Sequence, residues 1–401
     1  MYDAIVIGAR CAGAPTAQRL ADKGHKVLLV DKAYFPSGKR LSTHTIFTPG
    51  VAEMKKLGAL ERIEAASTPR FEAIEMNFGP FSVVTSPPPQ DGISFANGPR
   101  RHLIDNALVE CATEAGAEFR DGFEVAEILQ EDGRVVGIRG RDRRSGKEIT
   151  EKARIVIGAD GINSILARTV DPPRYKETAT RSGIVFSYWS GVPVEHGATI
   201  YFRPDRLFAV QLTNDGLTTV MEYVPIAEYH EFCDDIEGNF MRDWRTHVPD
   251  FYEQIMAGRR EERWAGTGYQ PNYMRKPSGP GWALIGDAEI HHDSNNPSGI
   301  TYALINSGFL ADAIHQGLSG EKPLDEAVAG YEQRRNDRWT AHYDFVVGGA
   351  GLEPPPPEAQ ALIGAMPDKP QLASEFLGFV EGCEDCLNFF EPSNIERLMA
   401  G

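Results

Sequence analysis

The stretch Ala4-Ile-Val-Ile-Gly8-Ala-Arg10-Cys-Ala-Gly13-Ala-Pro-Thr-Ala-Gln-Arg-Leu20, followed by Lys26-Val-Leu-Leu-Val-Asp31, constrains this chain more than any other. An apolar run too short for a helix leads straight into glycine. Small and apolar residues at helical spacing follow, and a second apolar run ends on an acid. The pattern reads as strand, tight turn, helix, strand: half of a nucleotide-binding βαβ unit. Gly8 lets the chain turn off the first strand, Gly13 lets the helix approach the sheet, and free amides at the helix N-terminus can receive a pyrophosphate. Asp31 is placed to accept from a ribose hydroxyl. Arg10 stands where the middle glycine of G-x-G-x-x-G is usual, so either the loop is displaced or the guanidinium itself meets the dinucleotide. The motif alone does not separate NAD from FAD.

With 401 residues, 41% hydrophobic and 24% charged, the chain can build two or three structural units around a large core. Its net charge of −16 disfavours nucleic acid or an anionic membrane as partner. No apolar run reaches membrane-spanning length and the N-terminus enters its first strand at once, so a cytoplasmic protein is expected. Five cysteines, an odd number, argue against a disulfide framework. Cys383 and Cys386 form a lone C-x-x-C that reads as two reduced helix residues, so no metal site is expected.

Along the chain, a helical segment is expected from about Pro49 to Ala65, and strands over 71–85. An amphipathic helix begins at Arg101, and a hairpin turns at Asp132-Gly133. Arg154-Ile-Val-Ile-Gly158-Ala-Asp160-Gly161 repeats the strand and glycine turn. From Ser182 to Val224 the period changes to two, predicting four antiparallel strands, the last two joined across Asn214-Asp-Gly216. A polar helical stretch covers about 227–258, the apolar strand returns at Trp282 to Gly286-Asp287-Ala288, and a long helix runs from about Ile300 to Gly317.

Three strands thus end in glycine-acid turns: the opening unit, Gly158-Ala-Asp160-Gly161, and Gly286-Asp287. In an open parallel sheet such turns gather beyond the carboxyl ends of the strands, where a dinucleotide lies. With Arg101-x-x-Ile-Asp105 and Pro297-x-Gly299, these residues give a chain that resembles the FAD-dependent monooxygenases of the para-hydroxybenzoate hydroxylase type, related to flavin halogenases and geranylgeranyl reductases. The resemblance covers most of residues 1–345. It implies an α/β fold: a Rossmann-like FAD-binding domain over 1–70, 99–172 and 275–345, an inserted antiparallel β-sheet substrate domain over 71–98 and 173–274, and a helical C-terminal region over 346–401.

The same resemblance implies FAD contacts from Gly8, Arg10, Cys11, Ala12, Gly13, Asp31, Lys32, Arg40, Arg101, Val125, Asp160 and Gly161, and from Gly286, Asp287, Pro297, Gly299, Ile300 and Thr301. Asp287 would bond the ribityl chain, and Pro297 to Thr301 would bring amides and a helix N-terminus to the isoalloxazine pyrimidine. The chain departs from the family pattern in placing its first histidine after Gly286-Asp287-Ala288 at His291, one residue late, and in having Thr301 where a second glycine is usual.

Phe186, Trp189, Tyr201, Phe208, Met221 and Tyr223 are expected to line an apolar substrate wall, with His44 or His292 as base. No second nucleotide fingerprint is present, so NAD(P)H would act as a transient reductant. The implied activity is a monooxygenase that adds O2 at flavin C4a and transfers one oxygen to an apolar, aromatic or polyketide-like small molecule. A reductase of a carbon-carbon double bond is the alternative, and a non-catalytic flavin-binding protein a second. The W-x-W-x-I-P signature of tryptophan-type halogenases is absent, Trp189 standing alone before Ser190-Gly191.

Overall fold

A computed structural model describes residues 1–38 and 41–400. Its first layer is a parallel sheet in the order Trp282–Leu284, Glu148–Gly158, Tyr2–Ile7, Val27–Val30 and Glu118–Arg120. Alternation along the first strand explains how both faces are covered. Ala4 and Val6 pack with helices Gly13–Asp22, Arg101–Glu114 and Gly299–Leu318. Ile5 and Ile7 pack instead with Phe123, Ile128 and Ile138 of the hairpin Phe123–Glu131 and Arg134–Asp142. Each such fully buried aliphatic side chain is worth about 1.5–3 kcal/mol. The hairpin turns at Asp132-Gly133, both with positive φ, as a two-residue Asp-Gly turn demands.

Register places the site. Ile7 pairs with Val30 on one side and Gly158 on the other, and Gly158 pairs with Leu284. The turns that follow, at Gly8, Asp31, Asp160 and Gly286, therefore leave the sheet from one row, at its carboxyl edge.

The second sheet runs Arg259–Arg260, Ser182–Ser190, Leu217–Pro225, Arg206–Leu212, Gly197–Arg203, Ala73–Asn77 and Ser82–Thr85, with Ala265–Thr267 also pairing with Ser182–Ser190. The period-two segments are its antiparallel strands, and Ala73–Asn77 joins them parallel to Gly197–Arg203. One face packs on helices Ile226–Asp234, Ile236–His247 and Pro249–Ala257 through Phe232, Phe240, Trp244 and Phe251. The opposite face, with Ile184, Phe186, Tyr188, Met221 and Tyr223, turns inward.

Two sequence expectations resolve more finely. The helix expected over 49–65 is two, Thr48–Lys56 and Leu60–Ala65, separated by Gly58 with φ 71°. The polar stretch 227–258 is three helices rather than one. After the helix Leu324–Gly349 the chain forms helices Pro357–Ala365, Pro370–Glu381 and Pro392–Ala400. Leu372, Leu377 and Phe379 pack there against Phe71, Ile74 and Val83 of the second sheet region. No helix among the described residues is long and apolar enough to cross a membrane.

Candidate functional site

Between the two sheets lies a cleft of about 640 Å³, which runs from the row of turns to the inward face of the second sheet. Its first end is built by the opening βαβ unit. Gly8 has φ 102°, and a Cβ on Gly13 would stand 1.8 Å from the Gly8 carbonyl oxygen, so the helix starts as close to the turn as glycine permits. Asp31 reaches back across this turn: its Oδ2 accepts from Ala9 N at 2.9 Å and its Oδ1 from Ala33 N at 2.8 Å.

Arg10 resolves the question its position raises. Its guanidinium pairs with Asp105, which is fully buried, and reaches Ser37 Oγ at 3.0 Å. Asp105 also accepts from Arg101 Nη2 at 2.8 Å and from Cys11 Sγ at 3.4 Å. This carboxylate thus ties the first turn to the helix Arg101–Glu114 and holds the Arg101 guanidinium more firmly protonated than usual against the cost of burial. Arg10, Cys11 and Arg101 all line the cleft.

Asp160 Oδ2 accepts from Ile165 N at 2.7 Å, the first amide of the short helix Ile165–Val170 that Ser164 caps, while Oδ1 is buried without a protein partner. Burial raises its pKa. At the third turn, Gly286 and Asp287 face the same cleft, followed by Pro297, Gly299 and Ile300 at the start of Gly299–Leu318. Lys32, Ala12, Val125 and Gly161 complete the lining among the expected cofactor residues. Two of that set lie elsewhere. Gly13 is behind the turn, and Thr301 is turned away, its Oγ1 2.8 Å from where a Cβ on Gly50 would be. Thr301 therefore packs between two helices, because it lies one position round from the face that opens on the cleft. Arg40 lies outside the described residues.

These residues fit a flavin dinucleotide. Four polar atoms of cleft-lining side chains are buried without a protein partner: Asp160 Oδ1, Asn296 Oδ1, His44 Nδ1 and Arg101 Nε. Buried polar atoms are ordinarily satisfied, so this group is suited to a polar ligand. Gly299 also sits at the helix N-terminus, where beyond its own chain neighbours and helix backbone no atom of the described residues lies within 4 Å of its Cβ position, so the missing side chain leaves open space beside the turn.

Both expected bases are buried, and burial makes each less basic. Burial lowers the His292 pKa to about 4. Its Nδ1 lies 2.8 Å from the Asp293 carbonyl oxygen and must donate to it, so Nε2 accepts from Ser298 Oγ at 3.0 Å. Both nitrogens are committed to shaping the loop before Gly299. His44 is held in the left-handed region, φ 48°, with Nε2 3.0 Å from Tyr188 Oη and its ring stacked on Tyr188. Burial and then the Arg100 and Arg101 charges bring its pKa to about 3. An imidazole this weakly basic serves as a neutral hydrogen-bonding group rather than as a proton acceptor near neutral pH.

The substrate-wall expectation is half corrected. Phe186 lines the cleft beside Ile184, and Met221 and Tyr223 share its face. Trp189, Tyr201 and Phe208 point the other way, into the helix-covered core around Trp244. Side-chain parity decides this: residues an odd number of positions apart lie on opposite faces of a strand. Two residues outside the expected set organise the site. Tyr188 partners His44. Asp293 accepts from Ser182 N, Ser182 Oγ, Arg181 N and Asn272 Nδ2, fastening the second sheet to the loop before Gly299. A short polar residue following two histidines at the start of a loop was the available signal for Asp293.

Residues 1–265 match the family described as FAD binding domain. Over 193 residues the chain is 33% identical to the protein FixC of Escherichia coli O157:H7, a match covering 46% of this chain and 42% of FixC, less than half of that relative's length. The structure of the flavin-dependent brominase Bmp2 is similar with a TM-score of 0.84 at 19% identity, over 100% of this chain and 98% of Bmp2. That of PqsL, a probable FAD-dependent monooxygenase from Pseudomonas aeruginosa, is similar with a TM-score of 0.72 at 18% identity, over 87% of this chain and 95% of PqsL.

Proposed function

Because the chain belongs to the FAD binding domain family, whose members are flavin-dependent enzymes, we propose that it is an FAD-dependent monooxygenase. It would use NAD(P)H as transient reductant and place one oxygen atom of O2 on an apolar, aromatic or polyketide-like small molecule. The observation that carries this reading is that one continuous cleft joins the row of glycine turns to the apolar wall of Ile184 and Phe186. FAD, when bound, supplies the redox chemistry.

The chain's own residues do the rest. Asp31, Asp160 and the turn amides hold the dinucleotide, and the N-terminus of Gly299–Leu318 favours negative charge beside it. Phe186 and Ile184 exclude water and orient the substrate's reacting face. His44, with its second nitrogen on Tyr188, presents a neutral hydrogen-bonding group to a substrate oxygen. Halogenation is a second reading, favoured by the likeness to the brominase Bmp2 along the whole chain, the C-terminal region included.

The test is anaerobic reduction of the FAD-loaded protein by NADH and by NADPH. Labelled O2 is then admitted with a panel of aromatic acceptors, with and without bromide. Label in the organic product supports oxygen transfer, and a brominated product supports the second reading. Product formed equally well without O2 would replace both with a reductase, and a protein that does not retain FAD would remove all three.

A further inference from the structure

We propose that a second cleft, sharing a wall with the first, binds the carboxylate or phosphate group of an organic ligand. With the first cleft read as the flavin and substrate site, this second cleft anchors an anionic tail.

The second cleft has a volume of about 330 Å³, the low end of what small-molecule sites require and enough for one ring with its acid. Arg100, Arg101 and Arg263 line it, against Glu262 as its one lining carboxylate among the described residues. In a chain of net charge −16 this is a local reversal of sign. The structure already accounts for part of that charge. Arg100 pairs with Glu262, and Arg101 Nη2 donates to Asp105 at 2.8 Å.

What is left over faces no protein acceptor. Arg100 Nη1, Arg101 Nε and the indole Nε1 of Trp264 are all buried without a partner. The Arg101 side chain is only 10% exposed. A buried donor left unpaired costs free energy, and a planar guanidinium edge matches the two oxygens of a carboxylate or phosphate. The walls suit a flat organic body as well as an anion. The Arg100 guanidinium lies 3.9 Å from the centre of the Tyr188 ring, and Tyr188 and Trp264 both line the cleft.

The two clefts meet at His44 and Arg101, which line both. A molecule anchored by its acid among the arginines could therefore extend past His44 to the flavin end of the first cleft. Two sources would supply the same chemistry: the substrate's own acid group, or a phosphate of the pyridine nucleotide that reduces the flavin.

The experiment is a titration of Trp264 fluorescence in the FAD-loaded protein, with Trp264→Phe identifying the signal. Benzoate stands for a substrate acid, NADP+ for the nucleotide phosphate, and benzyl alcohol for the uncharged control. Saturable binding of benzoate or of NADP+ is expected, with benzyl alcohol about tenfold weaker than benzoate where benzoate is the one bound. Arg100→Gln and the exposed-side Arg263→Gln should each weaken the bound anion about tenfold, as loss of one charge-assisted hydrogen bond requires, and Arg100→Lys should restore part of it. Whichever probe saturates identifies the source. Failure of both anions to saturate, or affinities that neither glutamine substitution changes, would overturn the proposal. Because Trp264 reports binding whether or not FAD is retained, failure of the flavin reading and failure of this one are seen separately.

Discussion

Gly299→Ala separates what the protein needs from what its ligand needs. In the protein alone the added methyl meets no atom within 4 Å among the described residues beyond its chain neighbours and helix backbone, and the residue opens the helix Gly299–Leu318. Alanine loses less backbone entropy than glycine on entering a helix, by about 0.5–1 kcal/mol in an interior turn and less at the first position. The FAD-free protein should therefore melt at an unchanged temperature or about 1 °C higher. With FAD the sign reverses. A methyl placed where the ring is to sit against the helix N-terminus costs what overpacking costs, about 1–3 kcal/mol, or roughly 5- to 150-fold in affinity. Quenching of FAD fluorescence on titration measures that loss directly. The rise in melting temperature with added FAD should shrink in step, since a ligand stabilises only as far as its concentration exceeds its dissociation constant. A variant that melts normally and binds FAD as tightly as the parent would refute the placement of the flavin against this helix. One that fails to fold would refute the steric account of Gly299.

Asp31→Ala strips the acceptors from Ala9 N and Ala33 N, so a loss of about 1–3 kcal/mol in denaturant unfolding and weaker FAD retention are expected together. Glu381 is fully buried at the start of Thr48–Lys56, accepting from Thr48 N at 3.0 Å, and burial raises its pKa from 4.5 to about 7. The folded state then holds its proton more tightly than the unfolded one. Its cost is absent below pH 4.5, grows as pH rises to about 7, and amounts to about 3 kcal/mol above that. Glu381→Gln should accordingly stabilise the protein at pH 8 and not at pH 4.5, and thermal melts at the two values decide it. Phe186→Ala should change KM for an organic substrate at little cost to FAD retention. Trp189→Ala should act on stability, by about 3–5 kcal/mol, and leave KM alone.

Much of the architecture was legible because its causes are local. Short apolar runs ending in glycine marked Tyr2–Ile7, Glu148–Gly158 and Trp282–Leu284. Alternation marked the strands of the second sheet, and Asp132-Gly133 marked the hairpin Phe123–Glu131 and Arg134–Asp142 that covers the first. Each signal lives within a few residues, where sterics and side-chain period act. The face of each strand that meets the cleft was less legible. Phe186 and Trp189 look alike in sequence, and only the packing of helices Ile226–Asp234 to Pro249–Ala257 makes the side of Trp189 the closed one. His44 and His292 looked like bases because their type titrates near neutral pH. Their burial and partners, which depress both pKa values, come from residues far along the chain.

The amino-acid order by itself determined the elements, the glycine turns and the residue types offered at each, since those follow from backbone sterics and periodicity. Tertiary structure alone decided that Arg10 spends its charge on Asp105, that His44 meets Tyr188, and that Arg100, Arg101 and Arg263 gather around one cleft. Charge neutralisation, pKa and cleft shape depend on distances of a few ångströms between residues tens to hundreds of positions apart, and those distances exist only once the sheets have packed.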